Sequence, residues 1–315
     1  HAIDGVTLSV DRGECLGIVG ESGSGKTMTA MSVMRLLPNG GHITGGKILL
    51  DDRDLVALDD DHMRRVRGNE IGMIFQDPMT SLNPVYTIGN QMEEVFLRHG
   101  KGGAKQARER AEYLLNKVGI SAAAGRLGQY PHQLSGGLRQ RAMIAMTLMC
   151  DPTLIIADEP TTALDVTIQA QILHLLAELQ REYQMALILI THDLGVVARM
   201  ADRVVVMYAG QVVETGTAEE IFAAPLHPYT RGLLECIPIP GKTARGEQLG
   251  SIPGIVPSLL SPIANCQFRN RCSHAFADCA AAPVPLREAA PGRASRCLLS
   301  AATPLRHAAP LGAAQ

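Results

Sequence analysis

The chain has 315 residues, of which 46% are apolar and 19% charged, with a formal net charge of −2. This composition predicts a folded chain with a hydrophobic core, and it argues against a nucleic-acid binder, which usually carries a basic excess. The longest apolar runs, such as residues 185–190, are far shorter than a membrane span, and no signal-peptide pattern opens the sequence. The default expectation is a soluble cytoplasmic protein whose start, at His1, has been trimmed.

Up to about residue 150, short strands give way to helices. Apolar runs bounded by glycine or polar turns predict three strands, at 17–20, 45–50 and 71–75. A helix is predicted at 26–37. Residues from about 79 to 150 are predicted to be mostly helical, with apolar residues at helical spacing over 105–118 and a further helix over 140–150.

The second half begins with a continuous apolar strand at 154–157, a pattern typical of a buried parallel strand. A long amphipathic helix at 166–183 and a buried strand at 186–191 follow, and then a hairpin with strands at 204–208 and 211–214. Strands alternating with helices predict an α/β fold with a mainly parallel sheet. Residues 223–315 are rich in Pro and Ala and predict a small irregular accessory domain with a loose tail from about 300.

A phosphate-binding loop is predicted at residues 20–27, Gly-Glu-Ser-Gly-Ser-Gly-Lys-Thr, which fit the G-x-x-x-x-G-K-[ST] pattern between a predicted strand and a predicted helix. The glycines allow backbone N–H groups to converge on phosphate oxygens at a helix N-terminus. Lys26 is expected to reach the β- and γ-phosphates, and Thr27 to place its hydroxyl on Mg²⁺. The predicted ATP-binding residues of this loop are Gly20, Ser22, Gly23, Ser24, Gly25, Lys26 and Thr27.

Two carboxylates end the apolar strand at 154–157. In phosphoryl transfer the first, Asp158, can hold Mg²⁺, and the second, Glu159, can orient or deprotonate the attacking water. An isolated Asp-Glu pair is more often an ordinary acidic loop, but the phosphate loop in the same chain favours the catalytic interpretation.

The order of the motifs resembles the ABC ATPase cassette across residues 1 to about 222. Leu134-Ser135-Gly136-Gly137 is similar to the signature motif of that family, and it stands between Gln76 and the acidic strand end. Thr162-Ala163-Leu164-Asp165 and His192 follow in the family's order. The resemblance implies a P-loop α/β fold, with a RecA-like core and a helical subdomain at about 79–150.

The resemblance also implies a role for each matched residue. Gln76 would contact Mg²⁺ and the attacking water, and His192 would contact the γ-phosphate. Two subunits would pack head to tail around two ATP molecules. The residues expected to complete the partner's site at this seam are Ser135, Gly136, Gly137 and Asp165. The aromatic residue that stacks on adenine in this family is absent from the 19 residues before Gly20, so adenine recognition is not assigned.

The flanks of these motifs narrow the resemblance to the ATPase subunits of dipeptide and oligopeptide importers. The similar segments are Ile74–Pro84, Glu159–Thr167 and His227–Thr230. The resemblance implies a second, related ATPase subunit, two membrane permease subunits and an extracytoplasmic peptide-binding protein, with the chain at the cytoplasmic face of a bacterial inner membrane. Importers of nickel and glutathione share this subfamily, so the cargo stays open. Residues 76–84 are the expected permease-coupling segment.

Four of the seven cysteines are close together in the sequence near the C-terminus. Their spacings of five, six and seventeen residues are wider than those typical of structural zinc sites and iron–sulfur motifs, so spacing alone leaves plain thiols, zinc and iron–sulfur open. The importer resemblance favours a [4Fe–4S] cluster, with zinc as the alternative, on Cys266, Cys272, Cys279 and Cys297. Three nearby arginines would offset its charge or form plain solvated surface: Arg269, Arg271 and Arg296.

Two other classes of ABC protein compete with the interpretation as a transport ATPase. DNA-repair members insert long coiled coils or zinc modules before the signature, whereas residues 28–134 leave room only for an ordinary helical subdomain, and translation-type members usually carry two cassettes. An inactive regulatory subunit is disfavoured because Lys26, Glu159 and His192 are all present.

Overall fold

The computed structural model describes residues 2–77, 81–162, 164–237, 250–257 and 264–299. The chain divides into two compact units. The first unit comprises Ser9–Leu16 and Thr27–Thr191; the second comprises His1–Leu8, Gly17–Lys26 and His192–Gln315. The predicted domain boundary near residue 222 stays a prediction, and the predicted loose tail from 300 lies outside the described residues.

Parallel strands form the centre of the first unit. Strands β4, β5 and β6 are neighbours in that order, with Ile71 opposite Leu154 and Leu154 opposite Ala186. All of their residues are buried, which explains their continuous apolar sequences. β1 begins in this unit, and the carbonyl of Glu14 before it accepts from the amide of Leu187 in β6. The strands are β1 (Cys15–Val19), β2 (Leu49–Leu50), β3 (Arg53–Asp54), β4 (Ile71–Ile74), β5 (Leu154–Asp158) and β6 (Ala186–Ile190).

Helices occupy most of the described residues between 81 and 150, as their apolar spacing predicts. Several helices of the first unit begin directly after a residue whose side chain accepts a hydrogen bond from a backbone amide in the first turn; Thr87, Ser135 and Asp165 are examples. The helices are α1 (Lys26–Val33), α2 (Asp60–Val66), α3 (Ile88–Arg98), α4 (Ala104–Lys117), α5 (Ala123–Arg126), α6 (Gly136–Thr147) and α7 (Val166–Tyr183).

Two early elements are shorter than predicted. α1 ends at Val33 rather than near residue 37, because Arg35 has a left-handed φ of 48° and the amide of Leu36 bonds back to Met31. The strand predicted at 45–50 is reduced to β2, since Gly46 has φ 89°.

The second unit is built on antiparallel strands. β7 (Arg203–Tyr208) and β8 (Gln211–Thr217) form the predicted hairpin; β10 (Arg293–Ser295) pairs with β8, and β9 (Arg287–Ala290) pairs with β10. This much regular structure near the C-terminus is not predicted by its Pro- and Ala-rich composition. The helices of this unit are α8 (Leu194–Met200), α9 (Ala218–Ala223) and α10 (Pro228–Glu235).

An aromatic group lies in the core of the second unit. Tyr208, Tyr229 and Phe268 pack with ring centroids 4.6–5.4 Å apart, and all three are nearly inaccessible to solvent. They therefore join β7, α10 and the cysteine-containing segment through burial of large apolar surfaces. Within the described parts of the chain, no helix has the length and apolar character needed to cross a membrane.

Candidate functional site

The predicted phosphate loop connects β1 to α1. All three of its glycines have backbone angles that other residues avoid: φ is 153° at Gly20, 76° at Gly23 and 102° at Gly25. A Cβ atom at Gly20 would lie 2.2 Å from the carbonyl oxygen of Met207. Glycine is therefore required at Gly20 for both conformation and space.

Two buried side chains of this loop suit an anionic ligand. The ammonium group of Lys26, which is 5% exposed, donates to the carbonyls of Gly20 (2.8 Å) and Glu21 (3.0 Å). The buried Ser24 hydroxyl finds no hydrogen-bond partner among the residues that the structure describes. A buried donor without a partner, beside a cation and a helix N-terminus, fits a phosphate group. Ser22 and Gly23 are exposed at the bend of the loop.

In the first unit, the predicted magnesium ligands Thr27 and Asp158 are in contact. The Thr27 hydroxyl donates to Oδ1 of Asp158 at 3.2 Å. Asp158 is the last residue of β5 and is 3% exposed, whereas Thr27 is exposed. A hydroxyl and a carboxylate are the oxygen ligands that Mg²⁺ prefers, so this pair fits the ion.

Glu159 combines a strained backbone with an oriented carboxylate. Its φ is +45°, in the left-handed region that residues other than glycine seldom adopt, and its amide donates to the carbonyl of Ile190 at 2.9 Å. Its Oε2 accepts hydrogen bonds from Gln76 Nε2 (3.1 Å) and from the Thr162 hydroxyl (2.8 Å). Gln76 and Glu159 therefore come together as expected. The contact of Thr162 was not foreseen; its place three residues after Glu159 was the available signal.

The signature residues stand where α6 and α7 begin. Ser135 is the N-cap of α6, and Asp165 is the N-cap of α7, accepting from the amide of Ile168 at 3.0 Å. A Cβ atom at Gly137 would lie 2.9 Å from Ile168, so glycine permits this close approach. Gly136 adjoins it at the start of α6. Both cap residues are exposed, which leaves these two helix ends open to a ligand or to another chain.

His192 belongs to the second unit, in the segment that leads into α8. It is exposed, and the next residue, Asp193, caps α8 by accepting from the amides of Gly195 and Val196. The Asp193 cap thus sets the start of α8 directly after His192 and Asp193.

The expected metal centre at the four C-terminal cysteines finds no support. These cysteines line one cavity together, but among the described residues no group of three or more His, Cys, Asp or Glu side chains is arranged to hold a metal ion. Burial raises the pKa of the Cys266 and Cys297 thiols, and raises that of Cys272 to about 11. The cysteines concerned are Cys266, Cys272, Cys279 and Cys297.

Of the three nearby arginines, Arg269 lines the cavity together with the cysteines, whereas the other two are bonded elsewhere. Arg296 donates to the carbonyls of Val212 and Val284, whereas Arg271 is paired with Glu21 of the phosphate loop. Neither of these two arginines is plain solvated surface. Their partners come from distant parts of the sequence, which spacing does not reveal.

Two protein families match the sequence. The family described as "ABC transporter" matches residues 3–162, and the one described as "Oligopeptide/dipeptide transporter, C-terminal region" matches residues 213–279. The first match includes the phosphate loop, Gln76, the signature and the acidic strand end.

Similar proteins span nearly the whole chain. A putative peptide import ATP-binding protein of Brucella melitensis is 53% identical over 94% of this chain and 91% of its own length. The oligopeptide transport ATP-binding protein AppD of Bacillus subtilis is 50% identical over 95% of this chain and 90% of its own.

A solved structure, the dimeric post-hydrolysis state of an ATP-binding cassette bound to ADP and phosphate, has a TM-score of 0.61 at 30% identity, covering 69% of this chain and 90% of that one. These similarities confirm the α/β ATPase-cassette fold expected from the motifs. The chain therefore belongs to the ATP-hydrolysing subunits of the ABC transporter family and carries the C-terminal region of the oligopeptide/dipeptide transporters.

Proposed function

We propose that this chain hydrolyses ATP to drive the import of dipeptides or oligopeptides. The relatives are named as peptide import and oligopeptide transport proteins, and the match at residues 213–279 is to the C-terminal region of oligopeptide/dipeptide transporters. The observation that carries the catalytic part is the carboxylate of Glu159 held by two hydrogen-bond donors, Gln76 and Thr162.

In this proposal the nucleotide is bound by the glycine-rich loop. Backbone amides at the start of α1, the Lys26 ammonium and the buried Ser24 hydroxyl, which has no partner among the described residues, would surround the phosphates. Thr27, Asp158 and Gln76 would hold Mg²⁺, which neutralises phosphate charge when bound. Gln76 Nε2 donates to Glu159, so its amide oxygen is the atom that would serve as the ligand.

Glu159 is proposed as the general base. Its carboxylate would accept a proton from the attacking water as the water oxygen bonds to the γ-phosphorus and the bond to the ADP oxygen breaks. Gln76 and Thr162 orient the carboxylate before the reaction, so little reorganisation is needed. His192 would contact the γ-phosphate and sense its presence.

We propose that a second, related ATPase subunit completes the site. The exposed N-termini of α6 and α7 would face the ATP bound by that subunit, with Asp165 at the seam. The solved cassette similar to this chain is a dimer, which supports the arrangement. The residues that would bind the partner's γ-phosphate are Ser135, Gly136 and Gly137.

The remaining proposals concern the assembly. Residues 1–222 would form the cassette and 223–315 the accessory domain, which the family matches at 3–162 and 213–279 support. Residues 76–84 would contact two permease subunits; residues 78–80 of this segment lie outside the described residues. A peptide-binding protein would deliver cargo, and the chain would work at the cytoplasmic face of the inner membrane.

Transport by the assembled complex in lipid vesicles tests the cargo. Uptake of a radiolabelled dipeptide, driven by ATP and lost in Glu159→Gln, is the expected result. Radioactive nickel and labelled glutathione are the competing cargoes. ATP-dependent uptake of either one without uptake of the dipeptide would replace the peptide assignment while leaving the ATPase assignment intact.

A further inference from the structure

The second residue of the phosphate loop is held by a segment some 250 positions away in the sequence. Arg271 forms a two-pronged ion pair with Glu21: Nη1 lies 2.7 Å from Oε2, and Nη2 lies 3.0 Å from Oε1. A guanidinium fork on a carboxylate fixes both distance and orientation. Both residues belong to the second unit.

Arg271 is itself immobilised. Its side chain is 5% exposed, its Nε donates to the carbonyl of Pro253 (2.8 Å), and its Nη2 donates to that of Ile252 (3.1 Å). Its guanidinium lies 5.7 Å from the ring centre of Tyr208, and its Nη1 lies 3.4 Å from the Tyr208 hydroxyl. These contacts leave the guanidinium little freedom, so Arg271 can act as a fixed anchor.

A second anchor reaches the same loop residue. The backbone amide of Glu21 donates to the hydroxyl of Tyr229 at 2.8 Å, and Tyr229 is fully buried against Tyr208 and Phe268. The loop is thus bound through the main chain as well as through a side chain.

The remaining polar group of Glu21 faces into the loop. Its carbonyl accepts from the amide of Ser24 (3.2 Å) and from the ammonium of Lys26 (3.0 Å). Displacing Glu21 would therefore move the carbonyl on which Lys26 rests. We propose that Arg271 is a positioning residue, through which the C-terminal region holds the phosphate loop in its nucleotide-binding form and sets nucleotide affinity.

A purely structural role for the pair is the competing explanation, because removing one partner of a buried ion pair destabilises the fold whether or not the pair positions a ligand. The two explanations differ in what a substitution changes. If the ion pair only stabilises the fold, its loss lowers the unfolding temperature. If the ion pair also positions the phosphate loop, its loss weakens nucleotide binding and raises KM more than it lowers kcat.

The test uses the full-length chain with Arg271→Gln, Arg271→Lys and the matched control Arg269→Gln. Arg269 lies two residues away and contacts Asn270 but not the loop. Calorimetric titration with MgADP, which is not hydrolysed, measures affinity, and steady-state ATP hydrolysis by the assembled transporter separates KM from kcat. Arg271→Gln is expected to weaken MgADP binding about tenfold, or about 1.4 kcal/mol, with a smaller loss in Arg271→Lys and none in the control.

A change in MgADP affinity of less than about twofold in Arg271→Gln, even with a lower unfolding temperature, would overturn the proposal. If that variant does not fold, Glu21→Gln tests the same contact from the loop side, because it keeps the backbone bonds of Glu21. The inference rests on the proposed nucleotide site. Failure of the wild-type chain to bind MgADP would reject that site, whereas wild-type binding with unaffected variants would reject only the role of Arg271.

Discussion

His227 is expected to make the second unit less stable in mild acid. The imidazole is 2% exposed, and Nδ1 caps α10 by accepting from the amide of Tyr229 at 3.0 Å. An acceptor nitrogen must be unprotonated, and burial lowers the pKa of His227 to about 3. Above pH 6.5 the histidine is neutral whether the chain is folded or unfolded. As the pH falls below 6.5, only the unfolded chain takes up the proton, so stability is lost progressively until about pH 3.

The two pKa values give the size of the effect. With 6.5 in the unfolded chain and about 3 in the folded one, the free energy of unfolding falls by about 2 kcal/mol between pH 7 and pH 5. Burial raises the pKa of Glu214, so protonation of that carboxyl stabilises the folded chain as the pH falls, opposite to the effect of His227. The wild-type dependence of stability on pH therefore does not isolate the contribution of His227.

A His227→Asn variant isolates it. An asparagine oxygen can accept from the amide of Tyr229 as a helix cap but does not titrate in this range. Losing the ring costs stability equally at both pH values. Urea unfolding at about pH 7 and pH 5, followed by tyrosine emission because the chain has no tryptophan, should show about 2 kcal/mol less acid sensitivity in the variant. Equal acid sensitivity in the two proteins would refute the neutral, buried assignment of His227.

Two further substitutions test the site. Gly20→Ala would place a methyl group 2.2 Å from the carbonyl oxygen of Met207, so it should abolish MgADP binding in a titration. Gly40→Ala is the control, because Gly40 also has a positive φ (83°) but lies outside the loop and a Cβ there meets no atom within 4 Å. Normal binding by Gly20→Ala would contradict the geometry. Thr162→Ala removes one hydrogen-bond donor to Glu159 and should lower kcat about tenfold, which corresponds to the loss of one charge-assisted hydrogen bond. Thr162→Ser keeps the hydroxyl and should retain most of the rate. Equal rates in the two variants would show that the Thr162 hydroxyl has no role in the site.

Local patterns predicted much of the fold. The bounds of α7, Val166–Tyr183, follow from the periodicity of its apolar residues and its Asp165 cap. The spacing of the glycines predicts the phosphate loop, because the loop needs positive φ angles, and the structure has them at Gly20 and Gly25. Both features depend on residues close together in the sequence.

The features that sequence did not reveal depend on distant residues. The pairing of Arg271 with Glu21 depends on how the second unit packs. The left-handed backbone of Glu159 accompanies a hydrogen bond from its amide to the carbonyl of Ile190 on the neighbouring strand. The cysteines are a different case. The resemblance favoured a [4Fe–4S] cluster, and the four cysteines line one cavity, but among the described residues no group of three or more potential ligands is arranged to hold a metal ion.

ATP turnover and ATP binding by Glu159→Gln, compared with the wild type in the assembled transporter, test the central claim most directly. The substitution replaces the proposed base with an amide of nearly the same shape. We predict ATP affinity within about twofold of wild type and turnover reduced at least about a hundredfold, since a positioned base contributes about that much. Near-normal turnover would contradict the assignment of Glu159 as the base of the ATPase reaction.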